Sequence, residues 1–221
     1  MRYKYAFYDM DGTVGDTSEG IFACTEYAFN KLGVKIDNSY ESLSRVIGPP
    51  LVYAYMNYFG LDQNQAEEAV FHYRQRYSTK GIYEMRLYDG LEQSLKTLKE
   101  KGLVMAIVSA KPQEYIDRIV FRYGLEKYFE LNVGANMADT HTSKTHLIKR
   151  ALDYFNINDL NEAVMVGDRK YDLDSAAEIG IDGIGVSYGF GSMEELKGCP
   201  NVFIATTPCE ISKFIIDDLS E

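Results

Sequence analysis

The chain has 221 residues, with 23 Lys and Arg against 33 Asp and Glu, a formal charge of −10, and 46% hydrophobic and 25% charged residues. That balance belongs to an ordinary globular protein, excludes a wholly disordered chain, and offers no long-range attraction to nucleic-acid backbones or anionic membranes. Three cysteines (Cys24, Cys199 and Cys209) without a CxxC pairing argue for reduced thiols, and no window reaches about 18 uninterrupted apolar residues. The expectation is a cytoplasmic protein with no membrane segment and no nucleic-acid polymer as partner.

In chain order, Tyr3 to Tyr8 is short, apolar and aromatic, and runs directly into Asp9-Met10-Asp11-Gly12, which predicts a buried strand ending in a turn. From Gly15 to Arg86 no buried strand is evident, but several helical patterns follow one another. The clearest is Ala66, Ala69, Val70, Tyr73 and Tyr77, behind a capping box of Asp62 and Gln65. Some seventy residues of helix make an oversized crossover, so residues 15–86 are expected to be an inserted helical domain.

Strands and helices then alternate. Leu91, Leu95 and Leu98 lie at helical spacing before Gly102, and Leu103 to Ser109 reads as an apolar strand. Pro112 opens a helix with Ile116, Ile119, Val120 and Tyr123 inward, followed by a strand near Leu131–Gly134. A helix with Leu147, Ile148, Ala151, Leu152 and Phe155 on one face precedes a strand at Ala163–Gly167. A helix carrying Leu173, Ala176, Ala177 and Ile179 precedes the strand Gly183–Val186. This alternation predicts an α/β fold: an open parallel sheet with helices on both faces, built from residues 1–14 and 87–221.

Ligands of open parallel sheets sit beyond the carboxyl ends of the strands. The predicted strands deliver Asp9 and Asp11, Ser109, and Asp168 there, with Asp172 one helical turn further on. Several carboxylates at one rim repel one another unless a cation holds them. With no His or Cys at ligand spacing the donors are all oxygen, which favours Mg²⁺ and, with it, phosphate chemistry. A surplus carboxylate can act as nucleophile and its neighbour as acid and base.

These residues resemble the haloacid dehalogenase-like superfamily of phosphatases. Asp9-Met10-Asp11-Gly12-Thr13-Val14-Gly15-Asp16 matches its first motif, DxDGT[LV]xD, and Ser109 matches the strand-ending Ser or Thr of the second. Lys144 in Thr142-Ser143-Lys144-Thr145 suits the third, and Gly167-Asp168-Arg169-Lys170-Tyr171-Asp172 the fourth, GDxxxD. The resemblance implies a Rossmann-like core with a helical cap and hydrolysis through an aspartyl-phosphate. Asp9 would be the nucleophile and Asp11 the acid and base. Ser109 and Lys144 would steady the phosphoryl group. Mg²⁺ would be held by Asp9, Asp168 and the main-chain carbonyl of Asp11, with Asp172 holding a metal-bound water or Lys144.

Ile47 to Leu51, Ser109-Ala110-Lys111-Pro112 and Gly185 to Ser192 look like the phosphoglycolate phosphatase-like branch, some of whose members are described as nucleotidases. By that resemblance Arg45, Gly48 and Pro49 would line the cap side, and Lys111 would approach a substrate phosphate or carboxylate. The expected partner is a small phosphomonoester, hydrolysed by a monomer or homodimer.

Rival readings are weaker. An EF-hand needs Gly at its sixth position and Glu at its twelfth, where this loop has Val14 and Gly20. Ser143-Lys144-Thr145 lacks the glycines of a P-loop, and Gly183-Ile184-Gly185 and Gly189-Phe190-Gly191 lack the third Gly of a dinucleotide fingerprint. A phosphosugar mutase of the same fold characteristically has a His soon after the first motif, absent from Asp16 to Ile21. A non-catalytic phosphate or metal sensor remains the alternative of another class. His141 is placed near Lys144, and Tyr53, Tyr55, Tyr58 and Phe59 either stack a nucleobase or pack helices, with packing favoured.

Overall fold

The structure is a computed structural model that describes residues 2–136 and 143–217. From the N-terminus run strand β1 (Tyr5–Tyr8), the two-residue strand β2 (Gly15–Asp16), helices α1 (Ser18–Lys31), α2 (Tyr40–Ser44), α3 (Leu51–Phe59) and α4 (Gln63–Tyr77), and the two-residue strand β3 (Arg86–Leu87). Then follow α5 (Leu91–Glu100), β4 (Val104–Pro112), α6 (Gln113–Arg122), β5 (Phe129–Ala135), α7 (Lys144–Tyr154), β6 (Ala163–Gly167) and α8 (Lys170–Ile179). Last come β7 (Asp182–Val186), α9 (Met193–Lys197), β8 (Phe203–Ala205) and α10 (Pro208–Asp217). The chain divides into two compact units, Met1–Gly15 with Leu87–Glu221, and Asp16–Arg86. Among the described residues no helix is long and apolar enough to cross a membrane.

The larger unit is a six-stranded sheet in the order β5-β4-β1-β6-β7-β8, with every neighbouring pair parallel. Alternate side chains divide between its faces. Phe7, Ala106, Val108, Val133, Ala163 and Met165 pack with Leu147, Ile148 and Ala151 of α7 and Ala176 of α8. The intervening Tyr8, Met105, Ile107, Val164 and Val166 are buried as well. Burial on both faces is why these strands read as unbroken apolar runs, and each fully buried large side chain contributes about 1.5–3 kcal/mol.

The strand expected to end at Ser109 continues to Pro112. Val108 pairs with Val133 and Pro112 with Ala135, so four residues of β4 advance against two of β5. This bulge takes Ser109, Ala110 and Lys111 out of the regular ladder and re-aims their side chains. Expected core positions differ in degree: α8 buries only a narrow stripe of Asp172, Leu173 and Ala176, leaving Ala177 exposed, and Tyr123, Phe155 and Ile179 are half-buried. Beyond Val186, α9 is a single turn and β8 has three residues, too short for periodicity to announce either.

In the smaller unit α1 and α3 pack on α4. Ala66, Ala69, Val70, Tyr73 and Tyr77 form the buried stripe of α4. Its capping box is formed: the Asp62 carboxylate accepts from the Gln65 N–H at 2.9 Å, and the Gln65 side chain accepts from the Asp62 N–H at 3.1 Å. Tyr55 is buried edge-on to Phe29 with ring centres 5.1 Å apart, and Phe59 joins them, so this aromatic pair packs helices.

Candidate active site

The central strands β4, β1 and β6 are neighbours, and being parallel they bring their carboxyl ends to one rim. Asp9 and Asp11 follow β1, the β4 bulge carries Ser109 and Lys111, and Asp168 follows β6. Lys144 opens α7 and Asp172 lies in the first turn of α8. Asp9, Ser109, Lys111, Lys144, Asp168 and Asp172 are all buried, and charges out of water must find partners.

Lys144 has three ammonium protons and three acceptors: Asp9 Oδ1 at 2.5 Å, Asp172 Oδ1 at 2.7 Å and the Val108 carbonyl at 3.0 Å. Burial opposes its charge, but Asp172 and Asp9 outweigh burial and raise its pKa, so it stays an ammonium. The Asp9 carboxyl is pushed up to about 6, by burial first and then by Asp172 and Asp11, against the pull of Lys144. Asp168 is raised well above the usual carboxylate range by burial and by Asp172 and Asp9. A second pair lies beside the first, where the Lys111 ammonium donates to both Asp11 oxygens, at 2.7 and 2.9 Å. Ser109 Oγ accepts from the Lys111 N–H at 3.3 Å, closing the bulge on itself.

Asp9, Asp168 and Asp172 each offer a carboxylate oxygen within 4.8 Å of the others. Asp168 Oδ2 accepts from the Phe190 N–H at 2.7 Å, while its Oδ1 is buried without a hydrogen-bond partner among the described residues. Crowded carboxylates, of which Asp9 and Asp168 are driven toward protonation, with one orphaned oxygen among them, form a donor set that a hard divalent cation satisfies, and the residues therefore fit Mg²⁺. Asp172 is committed on both oxygens, to Lys144 and to the Arg169 N–H at 3.2 Å. Gly12 leaves room for Asp168: it has φ +82°, and a Cβ there would lie 2.1 Å from Asp168 Oδ2.

The structure thus brings together Asp9, Asp11, Ser109, Lys111, Lys144, Asp168 and Asp172 in one unit. Arg45, Gly48 and Pro49 belong to the other unit, where the Arg45 guanidinium lies 4.3 Å over the Tyr58 ring and Tyr53 meets Tyr58 edge-on. His141 lies outside the described residues, and His146 is exposed. Sequence reasoning missed the backbone N–H of Phe190 as a partner of Asp168. The nearest signal was Gly189-Phe190-Gly191, weighed above only against a dinucleotide fingerprint.

A family model described as haloacid dehalogenase-like hydrolase matches residues 6–186. A 5'-nucleotidase of Pseudomonas aeruginosa is 35% identical over 197 residues, 89% of this chain and 88% of that one. Tyrosine-protein kinase PtkA of Mycobacterium tuberculosis is 34% identical over 189 residues, 85% of this chain and 63% of that one. The crystal structure of a predicted phosphatase from Clostridium acetobutylicum superposes with a TM-score of 0.90 at 34% identity, covering 98% of this chain and 100% of that one.

Proposed function

The chain belongs to the haloacid dehalogenase-like hydrolase family, and we propose that it is a Mg²⁺-dependent phosphatase that hydrolyses a small phosphomonoester through a phosphorylated Asp9. One observation carries the reading: a buried Asp9, held by Lys144 at 2.5 Å, shares its rim with Asp168 Oδ1, which has no hydrogen-bond partner among the described residues. That is a nucleophile next to a buried carboxylate oxygen suited to a hard cation.

In this mechanism an Asp9 oxygen attacks phosphorus and the bond to the leaving oxygen breaks. Asp11 gives that oxygen a proton, then takes one from the water that hydrolyses the phosphoaspartate. The Ser109 hydroxyl donates to a phosphoryl oxygen, and Lys144 offsets negative charge on Asp9 and on the transferring group. Asp9, Asp168 and the Asp11 carbonyl would hold Mg²⁺, with Asp172 steadying Lys144. When bound, the ion supplies positive charge to the phosphoryl oxygens. Lys111, whose ammonium already lies beside Asp11, would meet the substrate's remaining groups.

The relation to the 5'-nucleotidase makes nucleoside 5'-monophosphates the first substrate class, and similarity to a phosphoglycolate phosphatase of Colwellia psychrerythraea makes phosphoglycolate the second. The test is hydrolysis of nucleoside monophosphates, phosphoglycolate, sugar phosphates and a phosphotyrosine mimic, each with Mg²⁺ and with chelator. Release of phosphate from one class, lost in Asp9→Asn and with chelator, is expected; turnover that survives either change sinks the mechanism. The similarity to PtkA favours a second reading, phosphoryl transfer from a nucleotide to a protein hydroxyl in place of water. Labelled phosphate appearing on protein and not in solution would select it.

A further inference from the structure

Asp168 can serve a cation only if its carboxylate is turned one way. Oδ2 is fixed by the Phe190 N–H at 2.7 Å, which leaves Oδ1, unpartnered among the described residues, to serve as the ligand atom. A backbone N–H is no better placed than the loop that carries it, and this loop is pressed hard against the site. A Cβ on Gly189 would lie 2.3 Å from the Gly12 carbonyl oxygen and 2.4 Å from Asp168 Cβ, and one on Gly191 would lie 1.9 Å from the Asp168 carbonyl oxygen. So close an approach has to be held from both ends.

It is held so. At the near end the Tyr188 hydroxyl donates to the Thr13 carbonyl at 3.1 Å, two residues beyond Asp11. At the far end Glu195 Oε1 accepts from Arg169 Nε at 3.0 Å and from the Lys170 N–H at 2.8 Å, the two residues that follow Asp168. Ser192 Oγ accepts from the Glu195 N–H at 3.0 Å and sets the turn that presents this carboxylate. Both anchors therefore grip residues next to the carboxylates of the cation site, Tyr188 through the Thr13 carbonyl and Glu195 through the Lys170 N–H and the Arg169 side chain, and neither touches the reacting groups.

We propose that residues 187–195 form a brace for the cation site, in which Tyr188 and Glu195 are positioning residues that keep Asp168 Oδ1 turned toward a divalent cation. The inference rests on the Mg²⁺ reading above. Loss of contacts one shell out from a metal typically weakens its binding 10–100-fold. A merely structural role would lower stability and leave cation affinity alone.

The experiment titrates the intact chain with Mn²⁺ as a stand-in for Mg²⁺ and reads free Mn²⁺ by electron paramagnetic resonance. Tyr188→Phe and Glu195→Ala should each weaken Mn²⁺ about 10-fold, and Asp168→Asn should abolish binding. Glu210→Ala, which removes a carboxylate that closes a different loop at the Thr206 N–H, should bind as the wild type does. Urea unfolding in chelator checks that each variant is folded; Tyr188→Phe removes one hydroxyl and keeps the proposal testable if Glu195→Ala does not fold. Wild-type affinity in both brace variants, with binding lost in Asp168→Asn, overturns the brace and keeps the cation site. No binding by the wild type overturns the cation reading, and the brace with it.

Discussion

Lys111 reaches both carboxylate oxygens of Asp11, at 2.7 and 2.9 Å, from 100 residues further along the chain. The bulge in β4 makes this possible, because a regular strand would send residues 109 and 111 along the ladder of β5. The proposed acid and base is thereby held in place by a buried ammonium that can also meet an incoming anion. Lys111→Met removes both functions at once and should lower kcat/KM about 100-fold, with Lys111→Arg recovering part of the loss. Steady-state kinetics on the best substrate of the panel decide it; a Met variant within threefold of the wild type would show that the pair is incidental.

Lys144 sits between two buried carboxylates, Asp9 and Asp172, at 2.5 and 2.7 Å. Its removal leaves both uncompensated, which is the costly way to break a buried ion pair, about 3–5 kcal/mol. Lys144→Met should therefore unfold at markedly lower urea than the wild type in chelator, and divalent cation should restore part of the difference because it replaces the missing charge. Adding Asp172→Asn to Lys144→Met should recover stability without Mg²⁺ and recover no activity. A double variant no more stable than the single one would mean that repulsion between the carboxylates is not the source of the loss.

Much of the sheet and the rim was legible in the chain because periodicity reports burial directly. The apolar runs of β1, β4 and β6 and the polar residues that follow them specify both the layers and the edge where Asp9, Asp11 and Asp168 converge. What pairs with what was less visible. Nothing in a run such as Ser109-Ala110-Lys111-Pro112 states that four residues will advance against two of β5, so the partner of Lys111 could not be named. The Phe190 contact was hidden for a different reason: its donor is a backbone N–H, which every residue but proline carries. Asp172 illustrates the intermediate case, where spacing placed it at the site but only the geometry shows both oxygens already engaged.

Gly12 and Gly102 have nearly the same backbone, φ +82° and +85°, but different surroundings. A Cβ at Gly12 would meet Asp168 Oδ2 at 2.1 Å and Phe190 Cδ2 at 2.8 Å, whereas among the described residues nothing lies within 4 Å of one at Gly102. Alanine at either position carries the left-handed strain, about 1–2 kcal/mol, and only Gly12→Ala adds overpacking of about 1–3 kcal/mol more. Urea midpoints should rank wild type above Gly102→Ala above Gly12→Ala, and only the last should weaken divalent-cation binding, since Asp168 must move aside. Equal losses would mean that the backbone strain alone matters.

Cys24 gives the pH dependence a definite sign. It is buried, and burial pushes its thiol up to about 11 against the pull of Arg76, whose Nη1 lies 3.2 Å from the sulfur. Arg76 cannot do more, because Glu84 holds its guanidinium on two nitrogens at 2.6 and 2.9 Å. An unfolded thiol titrates near about 8.5. Between that value and about 11 the unfolded chain sheds a proton that the folded chain keeps, so this contribution to stability is intact below about 8.5 and is lost as pH rises through the window. Cys24→Ala should flatten that part of the stability profile measured by urea unfolding from pH 8 to 11. In native protein at pH 8 a thiol reagent should modify the exposed Cys209 and spare Cys24, because the thiolate is the nucleophile. Rapid labelling of Cys24 in folded protein would show that its helical unit opens far more readily than its packing implies.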